Sequence, residues 1–275
     1  MEAADLTGAS EALFIPLLGK AQVARYGDIL HDPKAAEIVA AVDYDFSQNG
    51  QSRFLAIYMG IRAAILDQYA RDFIAAHPDG IVLHLGCGLD ARAERVGPLP
   101  AQWVDVDLPD VISVRRRFYE EGPGYRMLGA SVVEPGWLEE LAWGSGPVLV
   151  VAEGLTMYLT DEENQALFRR FREKFSRTEY VFDAYSKSAV AWSKRKNPVN
   201  RMGAVIRWGL DEPGLMEAAV PGVRHVETRY FTDRQWSDRL SGWTRTMFRL
   251  LYGNAWANSL YRIYRFEIQK GRTAD

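Results

Sequence analysis

Gly80-Ile-Val-Leu-His-Leu-Gly-Cys-Gly-Leu-Asp-Ala-Arg92, with Gln102-Trp-Val-Asp-Val-Asp-Leu-Pro109 shortly after it, reads as one structural unit. Ile81, Val82, Leu83 and Leu85 form a short apolar run rich in β-branched residues, the pattern of a strand buried in a parallel sheet. Gly86 and Gly88 follow at once, where the chain must turn sharply and let a ligand approach its backbone. Residues 91–95 can then start a helix whose N-terminus points at whatever lies over the glycines. A second apolar strand around residues 102–106 leads into Asp105 and Asp107. These acids stand about 20 residues beyond Gly86, where nucleoside-binding folds place a carboxylate on the ribose hydroxyls. Strand, glycine loop, helix, strand and acid predict a nucleoside-binding unit.

The pattern Gly86-x-Gly88-x-x-Ala91 also satisfies the dinucleotide fingerprint. Asp90 argues against that ligand, because a pyrophosphate on the loop would find a carboxylate beside its own negative charge. S-adenosylmethionine carries no phosphate; its sulfonium and ammonium groups are favoured by acidic neighbours. The motif also begins some 80 residues into the chain, which leaves little room for a separate substrate domain downstream. The residues therefore favour S-adenosylmethionine over NAD.

Working outward, Asp32-Pro33 reads as a cap and first helical position, opening a helix over 34–42. A longer helix is expected over 51–76, with Leu55, Tyr58, Met59, Arg62, Ile65 and Leu66 along one stripe. Arg62 either pairs with an acid inside this stripe or contacts a ligand. Downstream, helices are expected at 109–118, 135–141 and 160–175, the last opened by the capping box Thr160-x-x-Glu163. Strands are expected at 125–128, 147–152 and 180–185. Alternating strands and helices signal a parallel, doubly wound sheet. Glu153 directly follows the wholly apolar strand at 147–152, so it lies at the carboxyl edge, where such sheets bind ligands; its bland role would be to cap the next helix. Residues 186–222 read as irregular and rich in Lys, Arg, Trp and Gly, as binding lids commonly are. Within them, Lys194, Arg195 and Lys196 read as a solvated surface, whereas Arg207-Trp208 is the better pocket candidate. A strand near 225–227, helical stretches from 232 and 243, and a closing strand over 259–269 complete the chain. The whole reads as a single domain over 1–275, divided into a helical N-terminal cover (1–79), a cofactor-binding core (80–185), a substrate lid (186–245) and a closing strand region (246–275).

At 275 residues, 48% hydrophobic and 25% charged, the chain can bury a sizeable core. A net charge of −3 gives no sequence-wide attraction to nucleic acid or to an anionic membrane. Cys87 is the only cysteine, so no intrachain disulfide forms and a cysteine-built metal site is excluded. No metal site is expected at all. The N-terminus lacks a secretory pattern and no apolar run reaches the ~18–20 residues of a membrane span, so a cytoplasmic location is expected.

Three motifs, His84-Leu-Gly-Cys-Gly-Leu-Asp-Ala-Arg92, Val104-Asp-Val-Asp-Leu-Pro109 and Ala152-Glu-Gly-Leu-Thr-Met-Tyr-Leu159, together resemble the leucine carboxyl methyltransferase family. The resemblance is strongest to its bacterial branch of tetracenomycin-type polyketide carboxyl O-methyltransferases. It spans nearly the whole chain and includes Asp32-Pro33, the Arg62 helix and Arg207-Trp208-Gly209. It implies a Rossmann-like class I methyltransferase with a seven-stranded, mostly parallel sheet whose last strand is antiparallel. It also implies that Gly86, with Gly88 and Asp90 on the same loop, lies against the methionine part of S-adenosylmethionine. Asp107 would hold the ribose, Arg62 would meet the cofactor carboxylate, Glu153 would sit near the amino-acid end, and Lys20 matches a cofactor-contacting lysine. One departure stands out. Relatives usually carry Asp where this chain has Ser131, and that Asp bonds the adenine amino group. A hydroxyl accepts that bond without the charge, and the Val132 backbone offers a second hold.

Methyl transfer from a sulfonium needs the nucleophile positioned in line and water excluded. A carboxylate acceptor is already ionised near neutral pH and needs no base, and His84 reads as a core residue. A cation such as Arg207 or Lys20 would orient the acceptor, with Tyr158 or Tyr58 shaping the space beside the methyl group. The leading expectation is O-methylation of a small-molecule carboxylic acid. The alternatives are transfer to a phenolic hydroxyl, which requires a base, a protein substrate, or a non-catalytic nucleoside-binding partner protein.

Overall fold

The computed structural model describes residues 13–42, 52–100, 102–140, 142–196 and 205–270. Asn200 and Arg201, two of the basic-lid residues, lie outside them, as does Gln51, the expected start of the long helix. The side chains of Lys194, Arg195 and Lys196 lie outside them too.

Among the described residues, three helices precede the sheet: α1 (Phe14–Val23), α2 (Pro33–Ala41) and α3 (Arg53–Ala76). Asp32 Oδ1 accepts from Ala35 N at 2.9 Å to start α2, and Ser52 Oγ accepts from Leu55 N at 3.2 Å to start α3. Both caps supply an acceptor to first-turn amides that have no partner within the helix. The elements then alternate: β1 (Ile81–Leu85), α4 (Arg92–Arg95), β2 (Gln102–Asp107), α5 (Pro109–Arg115), β3 (Tyr125–Gly129), β4 (Val148–Ala152), α6 (Asp161–Lys174) and β5 (Arg177–Tyr185). After them come α7 (Lys187–Lys196), α8 (Gly214–Ala219), β6 (Val223–Arg229), α9 (Arg234–Ser237), α10 (Gly242–Tyr252), α11 (Ala255–Leu260) and β7 (Tyr261–Gln269).

The seven strands form one sheet in the order β3-β2-β1-β4-β5-β7-β6, with β7 antiparallel to both of its neighbours and the first five strands parallel. Every residue of β1 and β4 is buried, as strands at the centre of a doubly covered sheet must be. Side chains alternate between the two faces. Val82, Leu149 and Val181 meet Ile57, Ile61 and Ile65 of α3 on one face. On the other, Leu83, Val150 and Phe182 meet Leu167, Phe168 and Phe171 of α6. Thr160 and Glu163 form the expected capping box. The N-terminal helices thus cover one face, and Leu13 reaches the glycine loop itself.

Several local expectations are corrected. Residues 135–140 form only a 3-10 turn, Trp137–Glu139, because Gly136 enters it at φ 93 and the Trp137 indole is held by the Val132 carbonyl at 3.1 Å; Leu141, the expected end of that helix, lies outside the described residues. The helix after the glycine loop is one turn long, followed by Gly97 at φ 96. The helix expected to reach residue 118 ends as α5 at Arg115. The stretch 186–222 is not wholly irregular: Ser186 Oγ accepts from Ala189 N at 3.1 Å and opens α7, and α8 follows. Only Ala189 and Val190 of α7 are buried in its first turns, too few to mark a helical stripe. Ser259 and Leu260 belong to α11, so the closing strand starts at Tyr261. α10 runs continuously through residue 245, across the expected boundary between lid and closing region. Among the described residues no helix is long and apolar enough to cross a membrane.

Candidate active site

At the carboxyl end of β1 the chain turns through Gly86 and Gly88 at φ 61 and 52, a region side chains with a Cβ rarely adopt. A Cβ on Gly86 would lie 3.2 Å from Leu155 Cβ, whereas one on Gly88 would meet, among the described residues, only Leu13 Cβ at 3.6 Å. The loop is therefore tight against the segment after β4, and its Gly88 side faces the N-terminal cover. Asp107, at the tip of β2, braces it. Its Oδ2 accepts from Gly88 N and its Oδ1 from Leu108 N, both at 2.7 Å. The carboxylate is half-buried, and burial raises its pKa against the pull of those two donors.

Asp105, which shares its spacing with Asp107, has a different occupation. It is fully buried and binds Arg115, Tyr125 Oη at 2.6 Å, Trp103 Nε1 at 2.9 Å and His84 Nδ1 at 3.0 Å. Burial pushes its carboxyl up, but Arg115, His84 and Tyr125 outweigh that and hold it below the usual range. Arg92 Nε faces His84 Nε2 at 3.5 Å, so the imidazole proton is assigned to Nδ1 and donated to Asp105. His84 is a satisfied core histidine. Cys87 is buried, which pushes its thiol well up.

The structure brings Lys20, Arg62, Asp90 and Glu153 into one buried ion network at this edge. Lys20 Nζ lies 2.9 Å from both Asp90 and Glu153. Arg62 binds Glu153 Oε1 through Nε at 3.2 Å and Nη2 at 2.9 Å, Tyr261 Oη at 2.7 Å and Asp183 Oδ2 at 3.4 Å. Arg92 bridges Asp67, Asp90 and Glu153, and Arg95 bridges Asp32, Asp67 and Asp90. Of the two readings of Arg62, the pairing with acids is observed. Asp90 is neutralised by three cations, so the acid on the loop acts through the network rather than as a lone charge. With Arg71 reaching Asp67 at 4.0 Å, five cations stand against five carboxylates, and the network is formally balanced.

Sequence reasoning missed Arg92, Arg95, Asp67, Asp183 and Tyr261 as members of this network. Charges inside apolar stretches (Asp67 on the α3 stripe, Asp183 at the end of β5) were the available signal. Asp183 also holds Gly154 N at 2.7 Å, fixing the φ 68 turn after Glu153.

The two candidate tyrosines join an aromatic wall on the same side of the sheet. Tyr58 packs against Phe231 at 5.0 Å and Tyr252 at 4.8 Å between ring centroids. Phe231 stacks on Tyr261 at 5.0 Å, and Tyr261 on Tyr185 at 4.2 Å. Tyr158 adjoins Tyr185, and burial raises both phenols. Arg207 is exposed; its backbone N bonds Met157 O at 2.8 Å, so it sits across the segment after β4. Trp208 is no pocket residue: it is buried on the opposite face, donating to Asp161 Oδ1 at 2.8 Å. Ser131 is half-buried beyond β3. The Val132 carbonyl is already bound by Trp137 Nε1 at 3.1 Å and Arg170 Nη1 at 2.8 Å, which leaves only its amide for a ligand.

The network predicts an acid limit to stability. Burial pushes Glu153 and Asp90 up, but Lys20, Arg62 and Arg92 hold Glu153 down at about 2, and Arg95, Lys20 and Arg92 hold Asp90 well below its ordinary value. A carboxylate with a depressed native pKa contributes stability that is complete above its unfolded value near ~4 and is lost below it. Asp107 and Asp183 are raised by burial and act in the opposite sense, gaining protons more readily in the native state. Melting temperature measured from pH 7 to 2 is expected to stay nearly level to about pH 4.5 and then fall steeply. A steep fall above pH 5 would contradict this electrostatic account.

Comparison with known proteins accords with this geometry. The leucine carboxyl methyltransferase family model matches residues 16–172. The tetracenomycin polyketide synthesis O-methyltransferase TcmP of Streptomyces glaucescens is 39% identical over 238 residues, spanning 86% of this chain and 85% of that protein. The S-adenosyl-L-methionine-dependent methyltransferase dpfgK of Gibberella zeae is 32% identical over 251 residues, 82% and 83% of the two chains. A solved S-adenosylmethionine-dependent methyltransferase from Anabaena variabilis superposes with a TM-score of 0.52 at 11% identity, covering 76% of this chain and 84% of that one; this likeness shows the fold. The glycine turn and the half-buried Asp107 carboxylate that braces it at the strand tip fit a nucleoside. The chain belongs to the leucine carboxyl methyltransferase family and is an S-adenosylmethionine-dependent methyltransferase.

Proposed function

We propose that this enzyme esterifies a carboxylate of a small, aromatic, polyketide-type molecule. The observation that carries the reading is the aromatic wall of Tyr58, Phe231, Tyr261, Tyr185 and Tyr158 beside the ion network, which offers no base. Burial raises the Tyr58, Tyr158 and Tyr185 phenols. His84 is tied to Asp105, and His225 bonds Thr228 Oγ1 at 3.0 Å beside Tyr264 and Phe266 on the other face. A wall of this kind suits an acceptor that arrives ionised. It does not suit a phenol, which must be deprotonated.

When bound, S-adenosylmethionine supplies an electrophilic methyl group on a sulfonium. Asp107 and the Gly86–Gly88 backbone would hold its nucleoside, and Lys20, Arg62, Asp90 and Glu153 its amino-acid end. The N-terminal cover and the aromatic wall would exclude water, and the stacked rings would set the plane of the acceptor. Segment 186–245 serves as the substrate lid in this reading, and the protein is placed in the cytoplasm.

Arg207, at the exposed rim, is assigned the acceptor carboxylate. Arg207→Ala is expected to raise KM for the acceptor about tenfold, the loss of one charge-assisted bond, with cofactor affinity unchanged. Weakened cofactor binding with normal acceptor KM would move Arg207 to the cofactor site. The reading as a whole is tested by mass spectrometry of products from aromatic carboxylic acids and matched phenols. Base-labile methyl esters are expected, and formation of methyl ethers alone would overturn it.

A further inference from the structure

A second cleft, away from the glycine loop, opens between α3, the segment before α2 and α9. Its volume is about 270 Å3. Arg71, Arg95, Arg239 and His31 line it with no acidic residue among the lining groups, over a floor of Ile29, Leu30, Ala64 and Trp236. Arg239 is exposed, its guanidinium lies 4.7 Å from the centre of the Trp236 ring, and it makes no ion pair among the described residues. Arg71 is steadied by a bond from Nη2 to the Arg95 carbonyl at 3.1 Å. It pairs with Asp67 only at 4.0 Å, and Asp67 is bound more closely by Arg92 and Arg95. One guanidinium stacked on a ring without an ion pair among the described residues, and one held in a long pair with a shared carboxylate, therefore meet in a cleft that no acid lines.

We propose that this cleft binds a small organic anion, its carboxylate or phosphate head between Arg71 and Arg239 and its apolar body on the Ile29, Leu30 and Trp236 floor. Planar guanidinium forks match both heads, and the ring stack orients one of them in advance. The volume is below the ~300–1,000 Å3 of drug-sized sites, so the ligand is of fragment size. The site borders the active centre through a single side chain. Arg95 lines the cleft and reaches Asp90 Oδ1 at 2.6 Å with the same guanidinium.

Isothermal titration of the full chain with phenyl phosphate, benzoate, inorganic phosphate and phenol tests the proposal. Phenyl phosphate or benzoate is expected to bind at least tenfold more tightly than inorganic phosphate or phenol, and the better of the two identifies the head group. Arg239→Ala and Arg71→Ala are each expected to weaken that binding at least tenfold while methyl transfer without the probe is unchanged. Should Arg71→Ala fail to fold, the charge reversal Arg239→Glu on the exposed rim is expected to abolish binding of the same probe. Absence of binding up to millimolar concentrations, or equal affinity in the variants, overturns the proposal.

Discussion

Arg62→Met is expected to lower stability by about 3–5 kcal/mol, the usual cost of removing one partner from a buried ion pair, and to abolish measurable cofactor binding. Methionine retains much of the volume, so the loss is electrostatic rather than a cavity. Glu153 would keep Lys20 and Arg92, but Asp183 would keep only Tyr261 and the Gly154 amide. Its carboxyl, already raised by burial with Arg62 pulling it down, would rise further. A raised native pKa costs stability above that pKa, and the cost is relieved as pH falls. The variant should therefore recover part of its deficit as pH falls from neutrality toward the ordinary carboxylate value near ~4. Urea unfolding at several pH values measures both effects. A deficit independent of pH would show that Asp183 does not depend on Arg62.

Asp107→Ala is expected to weaken S-adenosylmethionine binding about 100-fold or more, since hydrogen bonds to a charged acceptor are worth about 1.5–3 kcal/mol each and a ribose diol offers two. Stability should change far less. The carboxylate's protein partners are the Gly88 and Leu108 amides at the half-buried tip of β2, where water can replace it. Titration of parent and variant with S-adenosylmethionine and S-adenosylhomocysteine separates the two effects. Unchanged affinity for both ligands would remove Asp107 from the ribose role. An equal loss of affinity and folding would make it a brace for the loop alone.

Both variants test residues whose candidacy was legible in the sequence but whose surroundings were not. The β1, glycine loop and β2 unit was readable because its signals are local: an apolar run, two glycines, and an acid at the next strand's end. Helix starts at Asp32 and Thr160 were readable for the same reason, since a capping side chain bonds amides within three residues of itself. Where local signal was weak, the reading failed. α7 buries only two apolar residues in its first turns, and residues 135–140 were halted by a single left-handed glycine.

The sequence by itself therefore determined the parallel core of the sheet, the glycine loop at its edge and the short list of charged residues near it. Spacing alone left Asp105 and Asp107 equally suitable; the family resemblance singled out Asp107, and the tertiary structure supplies the physical difference between them. One is enclosed by His84, Arg115 and Tyr125, and the other stands at the strand tip against Gly88. Only the tertiary structure decided that Lys20, Arg62, Asp90 and Glu153 form one network, and that Trp208 belongs to the opposite core. Arg62 finds Glu153 at a separation of 91 residues and Tyr261 at 199. No local pattern encodes such pairs. They exist because the parallel sheet gathers its strand ends at one edge, where buried charges must find partners.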